Sequence, residues 1–178
     1  MALSKKLEKY LKKHGIDYKI VKHKTVYTAF DLAKTTGKKL ADIAKTVALK
    51  ADRKYMLVVV PASHRLSIPH LQKLLKSKSI SIVKEVSLSK VFKVKPGAIV
   101  PFASFHSVPV YIDKQLLKNK IVLVSGGSYT ESLELKTKTL LERGAEALQS
   151  FSKAYLAETK KGASRPKAKA RKKTPRKR

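Results

Sequence analysis

Apolar residues in this chain come in short runs with two different spacings, one typical of strands and one typical of helices. The longest continuous run, residues 55–62, predicts a strand over residues 55–60 that is buried on both faces and is stopped by Pro61. Residues 43–49 predict a second strand, rich in small and β-branched side chains. Shorter strands are predicted at residues 18–21, 80–83, 108–112, 121–124 and 132–135.

Helices are predicted where apolar residues recur every three or four positions. Thr28 is placed to cap one of them, because the carboxylate of Asp31 follows its hydroxyl three residues later. Gly15 and Gly37 are placed to end the first two helices. The predicted helical segments are residues 3–14, 28–37, 40–43, 69–75, 87–92 and 113–117, and a long terminal helix over residues 137–155.

Interleaved short strands and short helices predict an α+β domain with a mixed β-sheet. From Lys160 onward the sequence consists mainly of Lys, Arg, Ala and Pro, with no apolar residue larger than Ala. Such a segment cannot contribute to a core. We therefore expect a folded domain over residues 1–158 and a disordered tail over residues 159–178.

The charge of the chain is strongly unbalanced. There are 41 Lys and Arg residues against 12 Asp and Glu residues, a net charge of +29. Residues 159–178 hold 11 of the basic residues and none of the acidic ones, which leaves +18 on residues 1–158. The basic character therefore belongs to the domain as well as to the tail, and it predicts a polyanionic partner such as nucleic acid.

Several classes of protein are excluded or unsupported. The absence of cysteine excludes disulfides, thiolate zinc sites and cysteine nucleophiles. The longest apolar run is too short to span a bilayer and the start has no apolar signal core, so we expect a cytoplasmic protein without membrane association. Common nucleotide-binding and hydrolase motifs are absent, and the five histidines lack metal-ligand spacing, so each is expected to be structural or exposed.

One lysine stands inside the apolar strand predicted for residues 43–49. Alternation along a strand puts Lys45 on the same side as Ile43 and Val47. Thr46 then faces the opposite side, and we expect it to serve packing. Because a buried unpaired charge is costly, the Lys45 ammonium must reach a polar cavity, a partner or bulk water. The residues alone leave open a functional lysine in a pocket and a lysine that snorkels to solvent.

Several short motifs follow one another in a recognisable order. They are Thr28-Ala29-x-Asp31, Ile43-Ala44-Lys45-Thr46, Val58-Val59-Val60-Pro61, Pro96-Gly97-Ala98-Ile99-Val100-Pro101-Phe102, Val110-Tyr111-Ile112-Asp113 and Gly126-Gly127-Ser128. In this order and spacing the chain resembles the YbaK/ProX family of aminoacyl-tRNA editing domains, which are related to the insertion domain of bacterial prolyl-tRNA synthetase. The resemblance covers roughly residues 3–142.

The resemblance implies a strongly curved mixed sheet with surrounding helices, and hydrolysis of the ester that joins a wrong amino acid to the tRNA 3′ end. Lys45 matches the functional lysine of the family, so we expect it to be the catalytic residue. The implied substrate-binding residues are Thr28, Gly97, Ala98, Ile99, Val100, Pro101, Gly126, Gly127 and Ser128. A lysine and backbone amides can position a water and stabilise an oxyanion, so neither a metal nor a cofactor is expected.

The leading hypothesis is a trans-editing aminoacyl-tRNA deacylase, with mischarged tRNA as its partner, tRNA-Pro as the candidate class and an aminoacyl-tRNA synthetase as a further partner. A second hypothesis is a non-catalytic, basic nucleic-acid-binding protein on the same fold. A third is an accessory subunit that brings editing to a synthetase complex. The basic tail is interpreted as an anchor for RNA or as a solubilising extension.

Overall fold

The computed structural model describes residues 3–143 and 145–155. The strands of this part are β1 Lys19–Lys22, β2 Ala44–Ala51, β3 Lys54–Pro61, β4 His64–Leu66, β5 Ile80–Ile82, β6 Val110–Asp113, β7 Ile121–Ser125, β8 Glu131–Lys136, β9 Ala145–Leu148 and β10 Ser152–Ala154. Its α-helices are α1 Lys5–Lys13, α2 Ala29–Thr36, α3 Ile68–Leu75, α4 Glu85–Val91, α5 Ala103–His106 and α6 Thr137–Glu142. Two 3₁₀ turns lie at Leu40–Asp42 and Lys114–Lys118.

The strands form a mixed arrangement that does not close on itself. The largest sheet has the order β5-β2-β3-β6-β9, in which β2 pairs antiparallel with β3 and β5 while β6 runs parallel to β3 and β9. A second, antiparallel sheet has the order β1-β8-β7, and β10 pairs with β4 in a third. A single bridge between Ile43 and Leu123 joins the first two sheets. The predicted α+β class with a mixed sheet is confirmed.

Strand β3 is the centre of the hydrophobic core, as its continuous apolar run predicts. Leu57 and Val59 pack on one side with Leu7 and Leu11 of α1, and all four side chains are buried. On the other side Val58 and Val60 pack in a second cluster around Leu71 of α3 and Phe151. Full burial of one such aliphatic side chain contributes roughly 1.5–3 kcal/mol, so β3 anchors both layers.

Local capping signals are present where the sequence predicts them. Thr28 is the N-cap of α2, where its Oγ1 accepts from the Asp31 amide at 3.1 Å and donates to Asp31 Oδ2 at 2.7 Å. Gly37 ends the same helix in a left-handed conformation. The short elements β4 and α5 were not predicted from the sequence.

The predicted terminal helix over residues 137–155 is wrong beyond Glu142. The chain leaves α6 there and forms β9, which pairs in parallel with β6, and then β10. The buried carboxylate of Asp113 fixes this path, because its Oδ2 accepts from the amides of Phe151 at 2.8 Å and Ser152 at 2.7 Å. Long-range pairing therefore overrides the helical spacing of the apolar residues. The predicted tail, residues 159–178, lies outside the described residues.

We predict that Asp113→Ala lowers the free energy of unfolding by about 3 kcal/mol or more. Three backbone amides lose their acceptor, because Asp113 Oδ1 also accepts from Gln115 at 2.8 Å, and buried unsatisfied donors are costly. Urea denaturation followed by circular dichroism measures the change. Asp17→Ala, an exposed carboxylate, is the control and should stay within about 0.5 kcal/mol of the parent. Equal stability of both variants would contradict the role given to Asp113.

Candidate active site

A cavity of about 520 Å³ lies beside the first half of β2. Strand β3 pairs with β2 along its whole length, whereas β5 covers the opposite edge only at residues 49–51, so the first half of that edge borders the cavity. The other walls are the start of α2, the loop that contains Gly97, and the turn between β7 and β8. The volume lies within the range of small-molecule sites.

The cavity brings together half of the site residues expected from the sequence. Five of them line it, namely Thr28, Lys45, Gly97, Ile99 and Ser128. The remaining five do not: Ala98, Val100, Pro101, Gly126 and Gly127. Of these, the three loop residues are buried behind the wall, and the two turn glycines lie against the N-terminal region near Leu3 and Leu7. Their contribution to a site would be to shape the wall.

The Lys45 ammonium has found partners at the edge of the cavity. Its Nζ donates to the backbone carbonyl of His64 at 3.2 Å and lies 5.8 Å from the centre of the Tyr155 ring. The side chain is half-buried. Because Nζ has three donors and one is used by His64, the ammonium can still bind an acceptor.

Thr46 faces the cavity from the opposite side of β2, and its Oγ1 is buried with no hydrogen-bond partner among the described residues. Sequence reasoning assigned this residue to packing. A buried hydroxyl left unpaired costs about 1–3 kcal/mol, so such an atom is typical of a position that binds water or a ligand. The alternation of side chains along a strand predicts the face on which Thr46 lies, but it does not predict that this face borders a cavity.

The loop that contains Gly97 is held in place by aromatic residues. Gly97 has φ +79°, and a Cβ at this position would lie 3.2 Å from the carbonyl oxygen of Tyr27. The Tyr129 hydroxyl donates to the Pro96 carbonyl at 2.8 Å, and its ring packs edge-on against Tyr27 at 4.7 Å. Burial, followed by the proximity of Tyr27 and Glu85, raises the pKa of Tyr129, so this donor stays protonated. The loop is therefore rigid where it meets the cavity.

His106 supports the same loop from behind. Its Nε2 donates to the Val100 carbonyl at 3.1 Å, since a carbonyl can only accept. Burial, together with the charge of Lys6, lowers the pKa of His106, although the bond to Val100 acts in the opposite direction.

A histidine–serine pair that sequence reasoning missed also lines the cavity. His23 Nδ1 donates to the Lys24 carbonyl at 2.9 Å, so in the neutral ring Nε2 accepts from the Ser132 hydroxyl at 2.9 Å. The two residues are 109 positions apart, and the pairing of Val21 with Ser132 across β1 and β8 brings them together. No local motif in the sequence connects them.

The turn after β7 offers one further donor. Ser128 Oγ accepts from the amides of Glu131 at 3.1 Å and Thr130 at 3.4 Å, so its own proton is left for another partner. The connection between β7 and β8 is a short turn between paired strands. Ser128 lines the cavity.

Comparison with known proteins identifies the family. The model of the aminoacyl-tRNA editing domain matches residues 23–142. The chain belongs to this family. As an aminoacyl-tRNA editing domain it is a deacylase, a hydrolase of the ester that links an amino acid to tRNA. The expectation from the order of motifs is thereby confirmed.

Individual relatives of this editing domain agree with the assignment. The prolyl-tRNA editing protein ProX of Acetoanaerobium sticklandii is 27% identical over 131 residues, covering 70% of this chain and 80% of the relative. The prolyl-tRNA synthetase associated domain-containing protein 1 of Danio rerio is 26% identical over 119 residues, covering 64% and 65%.

Solved structures share the fold. A candidate trans-editing enzyme for prolyl tRNA synthetase superposes with a TM-score of 0.73 at 21% identity, covering 83% of this chain and 98% of the other. The hypothetical protein APE2540 gives a TM-score of 0.77 at 23% identity, covering 84% and 100%. These likenesses support the fold described above.

The chemical character of the cavity follows from its lining. Its hydroxyl groups belong to Thr28, Thr46, Ser125, Ser128, Ser132, Tyr27 and Tyr129, its cation is Lys45, and its one carboxylate is Glu85. Donors therefore outnumber anionic acceptors, which suits a carbonyl that gains negative charge during attack by water. Within the described residues no group of three or more His, Asp or Glu could hold a metal ion, and no helix is long and apolar enough to cross a membrane.

We predict that Gly97→Ala lowers the rate of deacylation by at least about tenfold. The added Cβ would press on the Tyr27 carbonyl at 3.2 Å and shift the cavity wall, and small displacements at a reacting centre are costly. Gly37→Ala is a matched control, because Gly37 has φ +70° but open space around its Cβ. Both variants should lose about 1–2 kcal/mol of stability from the left-handed backbone. Only the first should lose activity in a single-turnover assay, and equal activities would contradict a role for this loop.

Proposed function

We propose that this editing domain clears mischarged tRNA-Pro in trans, with the ester bound in the cavity beside β2. The names of the ProX relative and of the candidate trans-editing enzyme support this substrate class. The observation that carries the proposal is the convergence of Lys45, Gly97 and Ser128 on one cavity from three distant parts of the chain. In this scheme prolyl-tRNA synthetase supplies the substrate and is the functional partner.

The reaction requires little from the protein beyond positioning and charge stabilisation. A water oxygen adds to the ester carbonyl, the bond between the carbonyl carbon and the ribose oxygen breaks, and the ribose oxygen takes up a proton. The products are a free amino acid and a tRNA with an intact terminal hydroxyl. The oxyanion formed on the way needs donors that are already in place, because reorienting them during the reaction would raise the barrier.

This scheme gives a role to six residues that line the cavity: Lys45, Gly97, Ile99, Thr46, Ser128 and Thr28. Lys45 provides the positive charge that holds the aminoacyl ester or the terminal nucleotide. Gly97 and Ile99 shape the space for the amino-acid side chain, and backbone amides of their loop provide further donors. Thr46 and Ser128 contribute hydroxyl donors. Thr28, engaged with Asp31, holds the start of α2 at the mouth of the site.

The basic surface binds the body of the tRNA in this proposal. Residues 1–158 carry +18 and the last twenty residues carry eleven further positive charges, so phosphate contacts are available away from the cavity. Such contacts raise affinity without reading sequence. A cytoplasmic location fits a substrate of this kind.

We predict that Lys45→Ala reduces single-turnover deacylation of mischarged tRNA-Pro by about a hundredfold or more, because one preorganised charge at the oxyanion is lost. The variant should remain folded, since the Lys45 side chain is only half-buried. Lys50→Ala is the matched control: Lys50 lies on the same strand, with its ammonium 5.7 Å from the Tyr55 ring, but outside the cavity. Full activity of Lys45→Ala would overturn the site assignment.

A panel of tRNAs charged with different amino acids gives the specificity in the same assay. Salt-sensitive binding without hydrolysis of any ester would favour the non-catalytic nucleic-acid-binding alternative.

We also predict that salt affects tRNA binding much more than the chemical step. Raising KCl from about 50 to about 200 mM should increase KM for aminoacyl-tRNA at least about tenfold, because counterions compete for phosphate contacts. Hydrolysis of a 3′-aminoacyl-adenosine, which lacks the tRNA body, should change by less than about twofold. An equal salt effect on both substrates would show that the basic surface does not bind the tRNA body.

A further inference from the structure

Tyr155, the residue that follows β10, contacts Lys45 although it lies beyond the part of the chain that matches the family model. That match ends at residue 142, whereas Tyr155 places its ring 5.8 Å from the Lys45 ammonium. We propose that β10 completes the active site and that Tyr155 is a positioning residue for Lys45. This inference rests on the proposed function, because it gives Tyr155 a task only if Lys45 acts on the substrate.

The position of Tyr155 is determined by backbone pairing. Strand β10 is antiparallel to β4, with Ala154 opposite His64, and the Tyr155 amide donates to the Ser63 carbonyl at 3.1 Å. The next carbonyl along, that of His64, accepts from Lys45 Nζ. Adjacent carbonyls of one segment therefore hold the tyrosine and the ammonium side by side. At its other end β10 is anchored by the bond from the Ser152 amide to Asp113.

The contact between the ring and the ammonium is of the cation–π type. A lysine nitrogen within about 6 Å of an aromatic centroid is attracted by the negative face of the ring. A lysine side chain otherwise has many rotamers, and restricting it to one of them costs conformational entropy. The His64 carbonyl and the Tyr155 ring together therefore hold Nζ in one place before a substrate arrives.

Tyr155 also connects Lys45 to the entrance of the cavity. Its ring lies 5.8 Å from the ring of Phe30, at an interplanar angle of 60°. Phe30 lines the cavity at the start of α2. Both rings remain open to solvent, with 52% of Phe30 and 41% of Tyr155 exposed, so core packing does not account for their contact. The Tyr155 ring therefore contacts both Lys45 and Phe30, two residues that line the cavity.

The experiment compares two substitutions of Tyr155 in the full-length protein. Tyr155→Leu keeps an apolar side chain but removes the ring, and Tyr155→Phe keeps the ring but removes the hydroxyl. With enzyme in excess over mischarged tRNA-Pro, we expect Tyr155→Leu to lower the maximal rate about two- to fivefold, with little change in the half-saturating enzyme concentration. Tyr155→Phe should retain the parental rate. Tyr55→Leu, which removes the ring beside Lys50, is the matched control and should also retain it.

A double-mutant cycle tests whether Tyr155 acts through Lys45. In the Lys45→Ala background, Tyr155→Leu should cause no further loss of rate. Three outcomes would overturn the inference. Tyr155→Leu could keep the parental rate, Tyr155→Phe could lose as much rate as Tyr155→Leu, or Tyr155→Leu could cause the same loss of rate in the Lys45→Ala background as in the parent. These outcomes are separable from failure of the proposed function, which would show as full activity of Lys45→Ala alone.

Discussion

A lysine on an apolar strand must find a partner for its charge, and the region around the cavity is arranged to meet that requirement. The ammonium of Lys45 belongs to a half-buried side chain, and taking an unpaired charge out of water is expensive. The backbone carbonyl of His64 and the ring of Tyr155 provide partial compensation without neutralising the charge. Neither partner is a carboxylate, so the ammonium keeps its attraction for an incoming electron-rich group. A salt bridge at this position would have satisfied the lysine and removed its capacity to bind.

The remainder of the cavity is consistent with that arrangement. Its walls carry hydroxyl groups that can donate a hydrogen bond to a ligand. Ser128 Oγ accepts from a backbone amide and keeps its own proton available, and Thr46 Oγ1 has no hydrogen-bond partner among the described residues. The Lys24 carbonyl selects one tautomer of the neutral His23 ring, in which Nε2 faces the Ser132 hydroxyl. Such a lining favours a reaction in which negative charge develops on a carbonyl oxygen, which is the reaction of the family to which the chain belongs. Both sheets contribute residues to the lining, and the bridge between Ile43 and Leu123 connects the two sheets.

Much of this could be predicted from the sequence, for reasons that differ between elements. The strand over residues 54–61 was predictable because its apolar run is continuous, and the cap at Thr28 because a hydroxyl and a carboxylate recur at a fixed spacing. The cavity residues Lys45, Gly97 and Ser128 came from the order of short motifs. His23 could not be found in this way, since its partner is 109 residues away. The segment after Glu142 was predicted as a helix because its apolar residues have helical spacing. Its strands instead pair with β4 and β6, which are distant in the sequence.

The anchoring of the last strand by Asp113 has a consequence for how variants of this protein would be interpreted. One carboxylate holds the amides of Phe151 and Ser152, and the strand that begins there carries the ring beside Lys45. A genetic screen for loss of editing would therefore recover changes at an acidic group that no tRNA ever meets. Mapped on the fold, such a change would be interpreted as a stability defect, although it also removes the anchor of the segment whose ring lies beside Lys45.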